Sequence, residues 1–353
     1  MASALVNPQS PLSPAAAVPR STKRQRRLRV HDPRLSVVIV NYCQWQKTAA
    51  LVRELRRSPC AGRGAVEIVV VDNHSPPHVL MRRLRRWPGV SLRRWGRNRG
   101  FAEAVNEGSR LSRGQWLLLL NPDVSTPPGF LDGVLNATDS LVERDPRTGI
   151  VGFRLRNSDG TRQLSSGPFP TLVQTLLRLA LPRTRRKYDY VRARRPRSVP
   201  WVTGCCMLVK RACLEDLGGL DRDFFLYYED VDLCRRAQSR GWVVAHDPGI
   251  QAVHHRPLQA RPVRAYLRLL TRHALLTYAA KHWPAWQLRV LAGLIELECL
   301  FRRHRAQCKG QSAATRLFAQ MRDIAADMRR GLFHAARQRL ERVVRHHERE
   351  RAA

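Results

Sequence analysis

Between Leu35 and Leu120 the chain repeats one pattern: a short unbroken apolar run, then a longer stretch with helical spacing of its apolar positions. Ser36-Val37-Val38-Ile39-Val40 opens it, a β-branched run of the kind that a strand buried on both faces requires. The same reading predicts helices over 47–57, 79–86 and 101–111, and strands over 66–71, 90–93 and 116–120. Strands that alternate with helices imply an α/β fold, a Rossmann-like, mostly parallel sheet flanked by helices. In such sheets ligands lie beyond the carboxyl ends of the strands. That directs attention to Asn41-Tyr42, Asp72-Asn73 and Asn121-Pro122-Asp123.

From Ile150 the pattern loosens. Asp159-Gly160 marks a turn, 183–197 reads as a basic, mobile loop, and 201–209 as a strand. A helix over 230–239 is closed by Gly241, and strands over 242–245 and up to Val253 lead into His254-His255. Beyond Pro262 the chain is helical and studded with Arg, with Pro284 opening a new helix. The implied organisation is a basic disordered tail over 1–33, an α/β domain over 34–258 and a basic helical extension over 259–353. The α/β domain divides into a regular half over 34–124 and a looser half over 125–258.

With 43% hydrophobic residues in 353, the chain has enough apolar side chains for a substantial core, which excludes global disorder. The net charge of +35 concerns partners rather than fold, and its natural counter-charges are nucleic acid or an anionic membrane surface. Arg-rich coding by a GC-rich genome produces the same excess. The eight cysteines form no CxxC pair, which argues for reduced thiols in a cytosol. The best candidate span, 286–301, carries Arg289, Glu296 and Glu298 and falls short of about 20 apolar residues. No secretory signal opens the chain, so a cytoplasmic location is expected.

A carboxylate at a strand's carboxyl end, such as Asp72 or Asp123, accepts hydrogen bonds from a sugar or base, or binds a hard metal ion. As isolated residues the same two fit turn or helix caps equally well. Glu229, Asp230 and Asp232 stand at a helix start, where negative charge is favoured. The aromatic run Phe224-Phe225-Leu226-Tyr227-Tyr228 before them adds a second feature, since carboxylates against apolar rings become proton acceptors. His254 or His255 can complete a metal shell.

Taken in order, these segments resemble an inverting glycosyltransferase of family 2 with the GT-A fold. The fragments are 36–42 (SVVIVNY), 67–73 (EIVVVDN), 98–102 (NRGFA), 118–123 (LLLNPD), 201–204 (WVTG), 218–221 (GGLD), 229–234 (EDVDLC) and Gly241-Trp242. They cover about 35–256, and the set resembles the rhamnosyltransferase-like branch. The resemblance implies that Asn41, Asp72, Asn98, Arg99 and Gly100 bind the donor nucleotide, Gly100 by letting the backbone approach the diphosphate. It implies Mg²⁺ or Mn²⁺ on Asp123 and His254, with His255 as the competing histidine. Asp230 becomes the general base, steadied by Glu229 or Asp232. Trp201, Thr203 and Gly204 fall on the acceptor side, with the indole as a stacking face. Cys43 and Arg256-Pro257 depart from the family pattern.

The implied activity is metal-dependent transfer of a sugar, rhamnose first, from dTDP-rhamnose or a UDP-sugar to a lipid-linked or polysaccharide acceptor in cell-envelope synthesis. The basic tail and C-terminal helices would then hold the enzyme on the anionic inner face of the membrane. Two other readings compete: a non-catalytic member of the same fold, and a basic nucleic-acid-binding α/β protein. The last lacks any RNA-binding or recognition-helix signature, and no nucleic acid is expected.

Overall fold

The computed structural model describes residues 33–178, 187–189, 194–255, 257 and 263–352. Residues 1–32 of the expected tail lie outside these, as do 183–186 and 190–193 of the basic segment. The first half runs β1 (Leu35–Asn41), α1 (Trp45–Arg56), α2 (Pro59–Gly62), β2 (Val66–Asp72), α3 (Val79–Arg85), β3 (Val90–Arg94), α4 (Phe101–Leu111) and β4 (Trp116–Leu120). The middle holds β5 (Val124–Ser125), α5 (Phe130–Arg144), β6 (Thr148–Arg156), β7 (Arg162–Gln163), β8 (Ser166–Gly167) and α6 (Leu172–Leu177). Next come β9 (Arg197–Ser198), β10 (Trp201–Val202), β11 (Cys206–Lys210), α7 (Arg211–Asp216), α8 (Glu229–Ser239) and β12 (Val243–His254). Four helices follow: α9 (Ala265–His282), α10 (Ala285–Cys308), α11 (Ser312–Arg329) and α12 (Phe333–Ala352).

Among the described residues the main sheet runs β3-β2-β1-β4-β11-β6-β12-β5, the mostly parallel arrangement with antiparallel insertions that the GT-A expectation requires. β3, β2, β1 and β4 are mutually parallel, and β11 enters antiparallel between β4 and β6. The continuous apolar runs have a direct cause. Val37, Ile39, Ile68 and Val70 pack on one side of the sheet, while Val38, Val40, Val69 and Val71 pack on the other, so both faces are buried. α1 and α5 cover the first face, α4 and α8 the second.

Three expectations need correction. The strand over 201–209 breaks after Val202 into β10 and β11, because β10 pairs with β8 whereas β11 pairs with β4 and β6 in the main sheet. The strands over 242–245 and up to Val253 are one strand, β12, with a register irregularity between Asp247 and Gln251. The loosened region after Ile150 hides β6, a central strand whose residues pair with both β11 and β12.

The C-terminal helices are not a detached extension. The described residues from Pro33 onward belong to one compact unit. Tyr278 of α9 is wholly buried in the same core as Phe224, Val231 and Leu233, and Phe225 reaches into the helical core around Leu276 and Leu291. His282 meets Asp232 at 2.8 Å and Lys281 meets Asp221 at 2.9 Å. The boundary at 258/259 is therefore not a break in packing.

α4 lies close on the sheet because Gly108 has no side chain. A Cβ there would stand 2.4 Å from Val38 Cγ1, in the buried interior of β1. Gly108→Ala should destabilise the protein by about 1–3 kcal/mol, whereas Gly62→Ala, which meets nothing within 4 Å, should change little. Urea unfolding of both variants checks this; equal stabilities contradict the packing described.

Candidate active site

Parallel pairing in register brings Asn41 beside Asp72 at the carboxyl edge of the sheet. Both are wholly buried. Asn41 Nδ2 donates to Asp72 Oδ1 at 2.8 Å and to Ser75 Oγ at 3.0 Å, and its oxygen accepts from Thr48 Oγ1 at 2.7 Å. The other oxygen of Asp72 faces Arg94 Nε at 3.3 Å. The pair thus forms the floor of the edge and presents no open face, unlike the direct nucleotide contact expected of both. Asn73, next in sequence, clamps the loop before α4: it donates to Asn98 Oδ1 and the Gly100 carbonyl, and accepts from the Arg99 amide. Arg99 lies over the Trp95 ring at 4.9 Å.

Gly100 has φ 92°, a left-handed conformation that suits glycine, and a Cβ there would stand 2.6 Å from the Phe225 carbonyl oxygen. The first amide of α4, that of Phe101, donates to this same carbonyl at 2.7 Å. That amide is therefore engaged by the protein rather than held open for an anion. The carbonyl belongs to the chain leading into α8. There Tyr227 and Tyr228 both have positive φ, 75° and 66°. Two bulky residues in this region store strain that persists only where the surroundings enforce it. They turn the chain so that Glu229 and Asp230 begin α8 facing the sheet edge.

The metal-type residues meet through strand pairing. His254 at the end of β12 lies opposite Val124 of β5, next to Asp123. His254 Nε2 is 3.5 Å from Asp123 Oδ1, and its Nδ1 lies 2.9 Å from Gln163 Nε2. Burial opposes charge on this ring, but neighbouring Cys205 and Asp123 override it and push its pKa up to about 10. Asp123 is held below its usual range: burial acts against this, but His254 and Lys47 prevail. His255 turns away, with its nitrogens 2.8 Å from Ser125 Oγ and 3.0 Å from Ser158 Oγ.

Among the described residues no three His, Cys, Asp or Glu side chains gather as a complete metal shell. Two protein ligands nevertheless suit a hard cation whose remaining positions are filled by substrate phosphates and water. Gln163 supplies a further fit. Its Oε1 is buried without a partner. Turning that amide over presents Oε1 to a proton on Nδ1 and frees Nε2 for a cation, the usual arrangement behind a metal-binding histidine.

At the other end of the cleft, Asp230 Oδ2 accepts from the Gly204 amide at 3.0 Å and Oδ1 from the Val231 amide at 2.9 Å. Lys187 Nζ stands 3.6 Å from Oδ1. This lysine is packed against aromatic rings, 4.5 Å from the centroid of Tyr228 and 4.8 Å from that of Trp201. Burial opposes its charge, yet Asp230 raises its pKa above the ordinary lysine value. Glu229 has the opposite environment. Its Oε2 is buried without a partner, and burial together with Asp230 pushes its carboxyl up to about 8. The neighbours thus divide: Asp230 has two amide donors and a lysine partner, while burial favours the protonated form of Glu229. Asp232 serves the fold, accepting from Arg236 at 2.7 Å and meeting His282 at 2.8 Å.

A cleft of about 300 Å³ joins these ends, lined by Asn121, Gln163 and His254 on one side and by Lys187, Glu229 and Asp230 on the other. Thr203 and Gly204 line it, and Phe101 closes the side toward α4. Trp201 does not. It is 0% exposed and donates to the Pro168 carbonyl, so it supports Lys187 and Tyr188 from beneath instead of offering a sugar a stacking face. Sequence reasoning missed Lys187, Gln163 and the α9 residues Thr271 and Arg272, all of which line the cleft. Lys187 sits in a run of basic residues with no local sign of burial, and the α9 pair is recognisable only once that helix is docked.

The pattern of Glycosyl transferase family 2 matches residues 36–218, and that of Glycosyl transferase family group 2 matches 179–313. The chain belongs to glycosyl transferase family 2. It is therefore a glycosyltransferase, similar to rhamnosyltransferases of that family. N-acetylglucosaminyl-diphospho-decaprenol L-rhamnosyltransferase of Mycobacterium tuberculosis is 30% identical over 277 residues, covering 70% of this chain and 88% of its own. Low-salt glycan biosynthesis hexosyltransferase Agl10 of Haloferax volcanii is 26% identical, covering 64% of this chain and 68% of its own. Among solved structures, the mannosyltransferase PcManGT of Pyrobaculum calidifontis in complex with GDP-Man and Mn²⁺ superposes with a TM-score of 0.49 at 19% identity, over 85% of this chain and 88% of that one.

The protonated Glu229 gives the glycosyltransferase a measurable pH signature. The unfolded chain releases this proton near the ordinary value of 4.5, the folded chain only near 8. Stability therefore falls as pH rises across that window and levels above it. Glu229→Gln should remove this part of the decline, leaving the variant more heat-stable than wild type at pH 8 and similar near pH 5. Thermal unfolding across that range checks it; identical pH slopes for the two proteins contradict the assignment.

Proposed function

We propose that this enzyme transfers rhamnose, with inversion, from a nucleotide-activated donor such as dTDP-rhamnose to a lipid-linked glycan acceptor, on the anionic inner face of a membrane. One observation carries the reading: His254, paired with Asp123, and Asp230, paired with Lys187, line the same cleft. The mycobacterial relative, by its name a rhamnosyltransferase of a decaprenol-linked sugar, supports the choice of sugar and acceptor class.

In this reading the donor's nucleotide lies over the floor made by Asn41 and Asp72, beside Tyr42, Asn98 and Arg99, and Gly100 gives the backbone close approach. Asp123 and His254 hold Mg²⁺ or Mn²⁺, which when bound neutralises charge on the departing nucleoside diphosphate. Asp230 takes the proton of the acceptor hydroxyl as its oxygen attacks the anomeric carbon and the diphosphate leaves from the opposite face. Gly204 and Lys187 fix the direction of the carboxylate, and Thr203 lines the acceptor's approach. Glu229 keeps its proton and adds no second negative charge beside the base.

The membrane part of the reading rests on α10. Among the described residues no helix is long and apolar enough to cross a membrane. α10 nevertheless exposes an apolar stripe, Trp286 (59%), Val290, Leu294, Leu297 (63%) and Phe301 (68%), with exposed Arg289 and Arg305 on the same helix. Ile295, which the sequence groups with Leu294 and Leu297, is buried in the helical core instead. Apolar residues that enter an interface beside cations drawn to anionic lipid are the components of peripheral attachment.

Asp230→Asn should bind donor and metal nearly as well as wild type yet lose transfer by about 10²- to 10⁴-fold. Transfer assays at saturating donor check this, and a fully active variant removes Asp230 from the role. Separately, Leu297→Glu with Phe301→Glu should weaken co-sedimentation with anionic vesicles while leaving the fold intact. Undiminished vesicle binding by that variant contradicts the placement of the stripe in the interface.

A further inference from the structure

The end of α12 reaches the proposed donor pocket. Glu348 Oε1 accepts from the Tyr42 hydroxyl at 3.0 Å and from Asn98 Nδ2 at 2.9 Å, joining residues more than 200 positions apart in the chain. Tyr42 follows the last residue of β1, and Asn98 lies in the loop clamped by Asn73, so both donors belong to the carboxyl edge where the nucleotide is placed. Burial and the nearby Glu348 carboxylate both raise the Tyr42 hydroxyl above its usual value, in keeping with a proton held firmly in this contact.

The attachment of this part of α12 is slender. Ala336, Leu340, Val343 and Val344 are buried in the helical core, but from Arg345 to Arg351 every residue is exposed or half-exposed. Besides the two hydrogen bonds of Glu348, a stack of His347 on Tyr266 at 3.9 Å and an exposed ion pair of Glu350 with Arg316 of α11 at 3.3 Å hold these turns. A carboxylate only accepts hydrogen bonds, as do the phosphate and carbonyl oxygens of a nucleotide, so Glu348 and a nucleoside diphosphate compete for the same two donors. The competitor also carries negative charge, which repels the incoming diphosphate.

We infer that Glu348 is a latch on the donor pocket: it holds Tyr42 and Asn98 in the nucleotide-free enzyme and is displaced when a nucleoside diphosphate binds. The inference rests on the donor-site reading above. No covalent step is involved. Two hydrogen bonds to the protein's own carboxylate are exchanged for two to the nucleotide, and the last turns of α12 loosen.

Titration of dTDP and UDP, with manganese present, into the full-length protein tests it. Glu348→Ala should bind the nucleotide more tightly, by about tenfold, the loss of about 1.4 kcal/mol of competition. In wild type, amide hydrogen exchange over 345–351 should quicken when nucleotide is added. Adding Tyr42→Phe in the Glu348→Ala background should weaken the nucleotide again, because the freed hydroxyl then serves it. Unchanged or weaker binding by Glu348→Ala, or slower exchange over 345–351 with nucleotide, overturns the latch. If Tyr42→Phe alone of these changes weakens binding, the donor-site reading stands and only the latch fails. If neither substitution changes binding, the nucleotide lies elsewhere and both fail.

Discussion

The hydrogen bond from the Phe101 amide to the Phe225 carbonyl, 2.7 Å long, joins the two halves of the cleft. On one side of it, Gly100 accepts a left-handed backbone and brings α4 against the chain leading into α8. On the other, Tyr227 and Tyr228 turn through a strained conformation that delivers Glu229 and Asp230 to the sheet edge. Asn73 fixes the first side to β2, while Tyr228 packs on Tyr278 of α9 and fixes the second to the C-terminal helices. The spacing between the loop before α4 and the start of α8 therefore depends on backbone geometry, which substitutions on the surface do not reach.

Charge is distributed around this frame with economy. The chain is strongly basic, yet each acid at the sheet edge has its own environment. Asp72 is buried against Arg94, Asp230 against Lys187, and Asp232 between Arg236 and His282. Asp123 has His254 beside it and feels the charge of Lys47, while burial favours the protonated form of Glu229.

The first four strands and their helices are legible in the sequence, because a sheet buried on both faces leaves continuous apolar runs in β1, β2 and β4. β6 is not. Its run is interrupted by Gly149 and Gly152, where a Cβ would collide with Cys213 and Val202, so the residues that permit tight packing also erase the pattern. Asp123, Asp230 and His254 are readable from position and resemblance, but what each touches is not. Trp201 looks like a binding face and is a buried support, while Lys187 looks like surface charge and is the partner of Asp230. Glu348 carries no local signal at all. Its contact with Tyr42 exists only because α9, α11 and α12 pack one core that carries the chain back to the loops after β1 and before α4.

The arrangement of the two ends of the cleft can be read directly from crystals grown with manganese and a non-hydrolysable nucleotide-sugar. The account requires an anomalous manganese peak within bonding distance of Asp123 and His254 Nε2, and the sugar's anomeric carbon between the diphosphate and the Asp230 carboxylate. A peak away from Asp123, or a sugar whose anomeric face turned toward Asp230 is the one carrying the diphosphate, would contradict it.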